Sequence, residues 1–371
     1  MLILAIDTSA DETAAAVTSE RKVLSNVRYS QILLHKKWGG IYPSVAKRAH
    51  EERIDWVVDE TFKKLKVKSE KLKVEDVDYI AVTQGPGLAV ALEVGIKKAV
   101  ELAKKYKKKL ISVNHLEGHI YSCFVQNSNG NPKRDFRFPY LALIVSGGHT
   151  EIVLFKDQVD YKVLGETRDD AAGEALDKAA RMLGFGYPGG SVIERLASEV
   201  DNKDFFNFPR PMIKSNNLDF SFSGLKTSFY YFLHSRVIAR SKATKQSHLR
   251  SPRPAFGGTR DDNNIALDIR QLASSFQEAV FETLLIKTDL AIKQTTINRI
   301  VVGGGVIANL YLRKLLRILV KKYRGEVLFP PFKYLTGDNA AMIGVAANYK
   351  AKKRLFVKDF KLERIPRLRL S

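Results

Sequence analysis

Four short apolar runs each end in a polar or glycine-rich turn. LILAID leads into Asp7-Thr8-Ser9, and YIAVTQ into Gly85-Pro86-Gly87. YLALIV leads into Ser146-Gly147-Gly148-His149-Thr150, and RIVV into Gly303-Gly304-Gly305. Runs of this length bounded by turn residues read as buried strands. Residues 14–18 and 22–27 continue the first strand as a meander, and LISVNH is a further strand. Between them lie helical patterns. Ile54, Val57, Val58, Phe62 and Leu65 recur at helical spacing, and a second helix runs through Val100. The order three strands, helix, strand, helix, strand, helix is that of an α/β domain. It then restarts with two strands around the Gly147-Gly148 turn and the helix DAAGEALDKAARMLGF. A helix over 264–294 and the unit INRIVVGGGVIANLYLRKLLRIL follow. The halves share no visible sequence repeat, but their layout implies a duplicated α/β fold with a cleft between two lobes.

The length of 371 residues fits two domains. No run approaches the ~20 apolar residues of a membrane span, and the N-terminus lacks a basic n-region and a small-residue cleavage site. The single cysteine, Cys123, excludes an internal disulfide and fits a reducing cytoplasm. It reads as a small buried apolar residue. The net charge of +21 favours a polyanionic partner, nucleic acid first. Lys104, Lys105, Lys107, Lys108 and Lys109 form one basic cluster, and the stretch from Lys350 to Arg369 another. Residues 234–264 lack periodicity. They carry Arg236, Arg240, Lys242, Lys245, Arg250, Arg253 and Arg260 with no acid between them, and read as a disordered surface insertion.

His115 and His119, in HLEGH, stand four apart at the start of a helical pattern. That spacing puts both imidazoles on one face, roughly 5–6 Å apart at Cβ, within reach of one metal ion. The zinc-protease order H-E-x-x-H is absent: Leu116 follows the first histidine, and the acid is Glu117 on another face. A metal pair without that base points to an ion that binds or polarises a substrate. The glycine turns are of the kind that let backbone N–H groups approach phosphates. No P-loop and no G-x-S-x-G elbow occurs. Acid-bearing strand turns with late glycine turns are similar to the actin, sugar-kinase and heat-shock ATPase architecture.

The chain closely resembles the bacterial tRNA N6-adenosine threonylcarbamoyltransferases, the TsaD group. The resemblance rests on DTSADET at 7–13, GPGL at 85–88, HLEGH at 115–119 and VSGGHT at 145–150. It continues with DDAAGEALDKAARMLG at 169–184, YPGG at 187–190, DFSFSGLKT at 219–227, GGGVIAN at 303–309 and TGDNAAMIG at 336–344. It covers the chain to about residue 349 outside 234–264, and Ile144 before VSGGHT places it with the bacterial branch. It implies an α/β fold of two actin-like (ASKHA, RNase H-like) lobes, one over 1–118 plus 334–371 and the other over 119–333. It implies transfer of threonylcarbamoyl from threonylcarbamoyl-AMP to N6 of the adenosine 3′ to the anticodon, in tRNAs reading A-starting codons.

The resemblance maps metal ligands to His115, His119 and Asp338, with one divalent ion per subunit, iron favoured and zinc possible. Asp338 also reads as the N-cap of the helix in AAMIGVAANYKAKK. Adenylate-binding positions map to Ile144, Val145, Ser146, Gly147, Gly148, Asp177, Gly190, Glu194 and Asn309. Asp177 is placed to accept from ribose hydroxyls, or else to pair with Lys178 or Arg181. Asp11 and Glu12 are the candidates for the catalytic proton acceptor. The implied partners are tRNA, a paralogous actin-like protein (TsaB-like) and a small ATPase (TsaE-like), with no membrane.

Three departures from the family pattern stand out. The usual ETSCDET has Asp7 for the acid and Ala10 for the thiol. The usual V-P-E-x-A-x-R-x-H loses its acid at Ser44. The third departure is the insertion. An actin-like ATPase or small-molecule kinase is the alternative reading. A metalloprotease is weaker, because Glu117 is misplaced.

Overall fold

The computed structural model describes residues 1–65, 72–247 and 268–370, with only the backbone described for 236–247. The first half contains β1 (Leu2–Asp7), β2 (Glu12–Ser19), β3 (Lys22–Ser30), α1 (Ile32–His35), α2 (Pro43–Lys63), β4 (Tyr79–Gly85), α3 (Ala89–Lys105), β5 (Lys109–Asn114) and α4 (His115–Tyr121). The second contains β6 (Tyr140–Val145), β7 (Thr150–Asp157), β8 (Asp160–Glu166), α5 (Ala172–Met182), α6 (Gly190–Ser198), α7 (Ser223–Ser247), α8 (Ile269–Thr295), β9 (Arg299–Gly303), α9 (Leu310–Lys322), β10 (Glu326–Leu328) and α10 (Ala340–Lys352).

The strands form two five-stranded sheets, β3-β2-β1-β4-β5 and β8-β7-β6-β9-β10. Each sheet begins as an antiparallel meander and continues with two parallel strands beyond its first strand. The duplication expected from element order is therefore a duplication of topology. The fold is α/β with two actin-like lobes.

Alternation along the strands builds three cores. Ile3 and Ala5 of β1 face a middle core, whereas Leu4 and Ile6 face the core under α2 and α3. In β6, Tyr140, Ala142 and Ile144 face the same middle core, and Leu141, Leu143 and Val145 face the core under α5–α9. Period-two geometry makes each strand serve both faces, so the strands read as continuous apolar runs. Helices α4 and α10 lie in the middle core between the sheets. Each fully buried large apolar side chain there contributes roughly 1.5–3 kcal/mol.

β2 starts at Glu12 and β3 runs to Ser30, while β8, α6 and β10 were not foreseen. Asp338 does not cap α10. Asn339 does, its side chain accepting from Met342 N at 3.0 Å. The expected disordered segment is helical from 234 to 247, because α7 runs on to Ser247. Ala, Arg, Lys and Gln sustain a helix by propensity where amphipathic periodicity is missing. Residues 248–264 of that segment lie outside the described residues. No helix among the described residues is long and apolar enough to cross a membrane.

Candidate metal centre and substrate cleft

Strand β5 delivers the chain directly into α4. Asn114 is the N-cap, accepting from Leu116 N at 2.8 Å, and Glu117 reaches back to accept from Asn114 N at 3.1 Å. This capping box satisfies two orphan helix donors in a fully buried helix. Glu117 also accepts from Lys350 Nζ at 3.1 Å. The acid inside HLEGH is thus committed to structure and cannot serve as a hydrolytic base.

Capping by Asn339 leaves the Asp338 side chain free to point at α4. Asp338 Oδ1 lies 3.2 Å from His115 Nε2 and 3.4 Å from His119 Nε2. The two rings meet edge-on with centroids 4.6 Å apart. One ligand atom from each of the three residues lies within 4.8 Å of the others. Both nitrogens of His119 and Nδ1 of His115 are buried without a hydrogen-bond partner. Unsatisfied buried polar atoms are expensive. A cation takes one nitrogen from each imidazole and an oxygen from the carboxylate, so binding at the Asp338 side satisfies His119 Nε2, and these residues fit a metal ion. Two nitrogens and one oxygen leave positions open for substrate oxygens.

Burial pulls both histidines down, but Asp338 and Asp7 outweigh it at His115 and raise that ring. Burial pulls the His119 pKa down, which favours the neutral imidazole a metal requires. Burial pushes the Asp338 carboxyl up, but His115 and His119 outweigh it and hold it well below the usual carboxylate range. His149 was not singled out from sequence. Burial, aided by the charges of His115 and His119, pushes it down to about 4. Cys123 lies in a turn after α4, its Sγ 3.3 Å from the Val302 carbonyl. Burial raises its thiol to about 12, and Cys123 is not among the three residues that converge.

Asp7 ends β1 beside this cluster. Its Oδ1 accepts from Thr83 Oγ1 at 2.8 Å and Ser9 N at 3.2 Å. Asp11 is buried, its carbonyl accepting from Gln31 N at 2.9 Å and its Oδ2 from the Tyr187 hydroxyl at 3.3 Å. Burial, then the Asp338 charge, pushes its carboxyl up to about 6. Burial raises Glu12 to about 7, against Arg28, whose Nε stands 3.6 Å away.

The sequence-mapped adenylate positions divide into two kinds. The side chains of Ile144 and Val145 face cores, so this turn offers only the backbone of Ser146, Gly147 and Gly148. Ser146 Oγ accepts from His149 N at 3.0 Å, while Gly147 and Gly148 have open space around them. Asp177 Oδ1 accepts from Gly189 N at 2.7 Å and Gly190 N at 3.0 Å, instead of pairing with Lys178 or Arg181. Glu194 Oε1 accepts from Leu310 N at 2.9 Å. Asn309 caps α9 through Leu312 N at 3.0 Å and donates to Gln277 Oε1 at 2.9 Å. These acids and amides fix the Gly189-Gly190 turn and the start of α9. Gly304, at φ +100°, would place a Cβ 2.3 Å from the Val145 carbonyl, so the two turns meet only because it is glycine.

The family model described as TsaD: tRNA N6-adenosine threonylcarbamoyltransferase matches residues 22–345. A tRNA N6-adenosine threonylcarbamoyltransferase of Thermosipho africanus is 43% identical over 370 residues, covering 100% of both chains. That of Kosmotoga olearia is 43% identical over 356 residues, 96% of this chain and 95% of that one. One from Staphylococcus epidermidis is 44% identical over 349 residues, 94% of this chain and 91% of that one. Among solved structures, full-length HypF in its phosphate- and nucleotide-bound form matches at TM-score 0.56 and 14% identity. The match covers 97% of this chain and 56% of that one, and at this identity the likeness is of fold alone. With the sequence matched end to end by these relatives, the chain belongs to the tRNA N6-adenosine threonylcarbamoyltransferase family.

Proposed function

We propose that this chain transfers the threonylcarbamoyl group of threonylcarbamoyl-AMP to N6 of the adenosine 3′ to the anticodon, in tRNAs reading A-starting codons. Its division is that read from sequence, one lobe over 1–118 plus 334–371 and the other over 119–333. The observation that carries the reading is the convergence of His115, His119 and Asp338, with buried imidazole nitrogens lacking partners, in a chain of this family. His115, His119 and Asp338 would hold the ion, iron in preference to zinc. A bound divalent ion supplies a Lewis acid for the oxygens of the threonylcarbamoyl group.

The chain's own residues do the rest. The open backbone at Gly147 and Gly148, with the Gly189-Gly190 turn held by Asp177, receives the AMP moiety. Glu194 and Asn309 keep the start of α9 in place beside it. The N6 lone pair is delocalised into the adenine ring, so the amine is a poor nucleophile and positioning matters. N6 attacks the carbamoyl carbon, the bond from that carbon to the phosphate oxygen breaks, AMP leaves, and the N6 proton passes to a carboxylate. Asp11 is the better acceptor of the two candidates, because Glu12 is engaged by Arg28.

A TsaB-like paralogue and a TsaE-like ATPase complete the system in the cytoplasm, a reading supported by the family and by the single cysteine. The test is mass spectrometry of tRNA nucleosides after conditional depletion of the chain. Loss of threonylcarbamoyladenosine, restored by the chain but not by His115→Ala, is expected. An unchanged nucleoside profile would refute the proposal.

A further inference from the structure

Trp38 and Tyr42, in the segment between β3 and α2, take no part in the chemistry above. They are 51% and 45% exposed. Yet they stack on each other, with centroids 4.7 Å apart and planes 20° from parallel. Lys37 Nζ sits 5.2 Å from the Trp38 ring. Lys36 and Lys37 are both exposed.

The segment is pinned at several points. Gln31 N donates to the Asp11 carbonyl at 2.9 Å. The buried His35 pairs through Nε2 with Gln31 Oε1 at 3.1 Å and accepts from Tyr42 N through Nδ1 at 3.3 Å. From the other lobe, the Arg181 guanidinium of α5 donates to the Gly39 carbonyl. The aromatic pair is therefore fixed between the Asp11 turn and the helix that carries Asp177. Lys36 lies beside Gly186, next to Tyr187, whose hydroxyl reaches Asp11.

Exposed aromatics held rigid in a parallel stack, with cations alongside, match a nucleobase face and its flanking phosphates. Unpaired RNA bases are read by such stacking on aromatic side chains. We propose that Trp38 and Tyr42 form a stacking platform for an unpaired base of the substrate RNA loop, with Lys36 and Lys37 taking its phosphates. This rests on the RNA-modifying reading above and assigns that reaction a positioning surface outside the metal centre. Leu33, 83% exposed nearby, makes a protein surface the competing occupant.

The chain has two tryptophans, so Trp56→Phe leaves Trp38 as the only indole reporter. The full-length Trp56→Phe chain is titrated with substrate tRNA, with its isolated anticodon stem-loop, and with a blunt duplex of the stem. Saturable quenching by tRNA and stem-loop but not by duplex is expected. Trp38→Ala and Tyr42→Ala should each weaken stem-loop binding by roughly tenfold or more. They should raise KM for tRNA more than they lower kcat, with metal content unchanged. Lys36→Ala with Lys37→Ala should flatten the salt dependence.

Equal binding by Trp38→Ala and the parent overturns the platform, as does equal quenching by the duplex. Quenching by a protein component of the transfer system, with RNA silent, overturns it in favour of a protein interface. If the parent, supplied with the paralogue, the ATPase and threonylcarbamoyl-AMP, neither binds stem-loop nor yields modified nucleoside, the reaction assignment itself falls, and the platform with it.

Discussion

Asp7 Oδ1 lies 3.7 Å from His115 Nδ1, while Asp338 Oδ1 lies 3.2 Å from Nε2 of the same ring. One imidazole thus stands between two carboxylates, one at the end of β1 and the other at the start of α10. Burial pulls the His115 pKa down, but Asp338 and Asp7 outweigh it and bring it up to about 10. With the ring held between two carboxylates that favour its protonated form, an entering ion should displace a proton from His115. Metal uptake at pH 7 should release about one proton per site, and affinity should rise with pH. Calorimetry in buffers of different ionisation heat measures this. Asp7→Asn removes the carboxylate that orients the ring and should weaken metal binding by about 10–100-fold. Unchanged affinity would show that Asp7 plays no part.

Much of this site was legible in the chain. His115 and His119 declared themselves by spacing, and the strand turns by their glycines. Asp338 did not, because in Asp338-Asn339 either side chain can cap a helix, and only coordinates show that Asn339 takes that role. Asp7 and Tyr187 were visible only as parts of motifs. Their contacts to His115 and Asp11 join residues far apart in sequence, and no local period records such a meeting. The stretch from Lys350 to Arg369 read as a charged face, yet much of what it does is done by backbone carbonyls, which leave no trace in side-chain pattern.

Asp11 and Glu12 should give both activity and stability a pH dependence. Their carboxyls rise from 3.8 to about 6 and from 4.5 to about 7 on folding. The folded protein thus keeps protons that the unfolded chain has lost. This contribution to stability is full below the unfolded values and is lost as pH rises through the folded ones. Transfer needs the ionised acceptor, so its rate should climb over that same range. Asp11→Asn should abolish transfer and reduce the loss of stability between about pH 4 and 7, followed by thermal unfolding against pH. Glu12→Gln should retain transfer. The reverse outcome moves the base to Glu12.

Gly303 closes β9 against the metal helix. A Cβ there would lie 2.4 Å from the His119 carbonyl. Gly303→Ala must push α4 aside, at a cost of about 1–3 kcal/mol for overpacking. Metal affinity should fall with it, because His119 moves. Gly305→Ala is the matched control, since its Cβ would enter open space. Denaturant titration with and without added metal separates the two effects. Equal behaviour of the two variants would refute the coupling.

Asp177 holds the turn at Gly189 and Gly190 through two short bonds to one carboxylate oxygen. Hydrogen bonds to charged groups contribute about 1.5–3 kcal/mol each. Asp177→Ala should free the turn, take Tyr187 away from Asp11 and weaken a non-reactive adenylate analogue by tenfold or more. Metal content should stay the same. Loss of metal together with the analogue would mean that the substitution unfolds the cleft generally.

Residues 363–370 bridge the first sheet and the end of β8 in the second. Ile365 N donates to the Gln84 carbonyl at 3.0 Å, and the Pro366 carbonyl accepts from Gly87 N at 3.1 Å. Asn114 Nδ2, on the cap of the metal helix, donates to the carbonyls of Leu368 at 3.4 Å and Arg369 at 3.2 Å. Arg369 reaches Glu166, at the end of β8, at 3.1 Å, and Leu370 is buried in the middle core. These contacts predict different costs. Arg369→Ala breaks an exposed ion pair and should change stability by less than about 1 kcal/mol. Leu370→Ala empties a core position and should cost about 2 kcal/mol or more. Truncation after Glu363 removes both contacts and the partners of Asn114. It should therefore lower the unfolding midpoint and speed metal release, measured by chelator competition. If truncation changes stability but not metal release, the bridge holds the sheet without steadying the helix that carries His115 and His119.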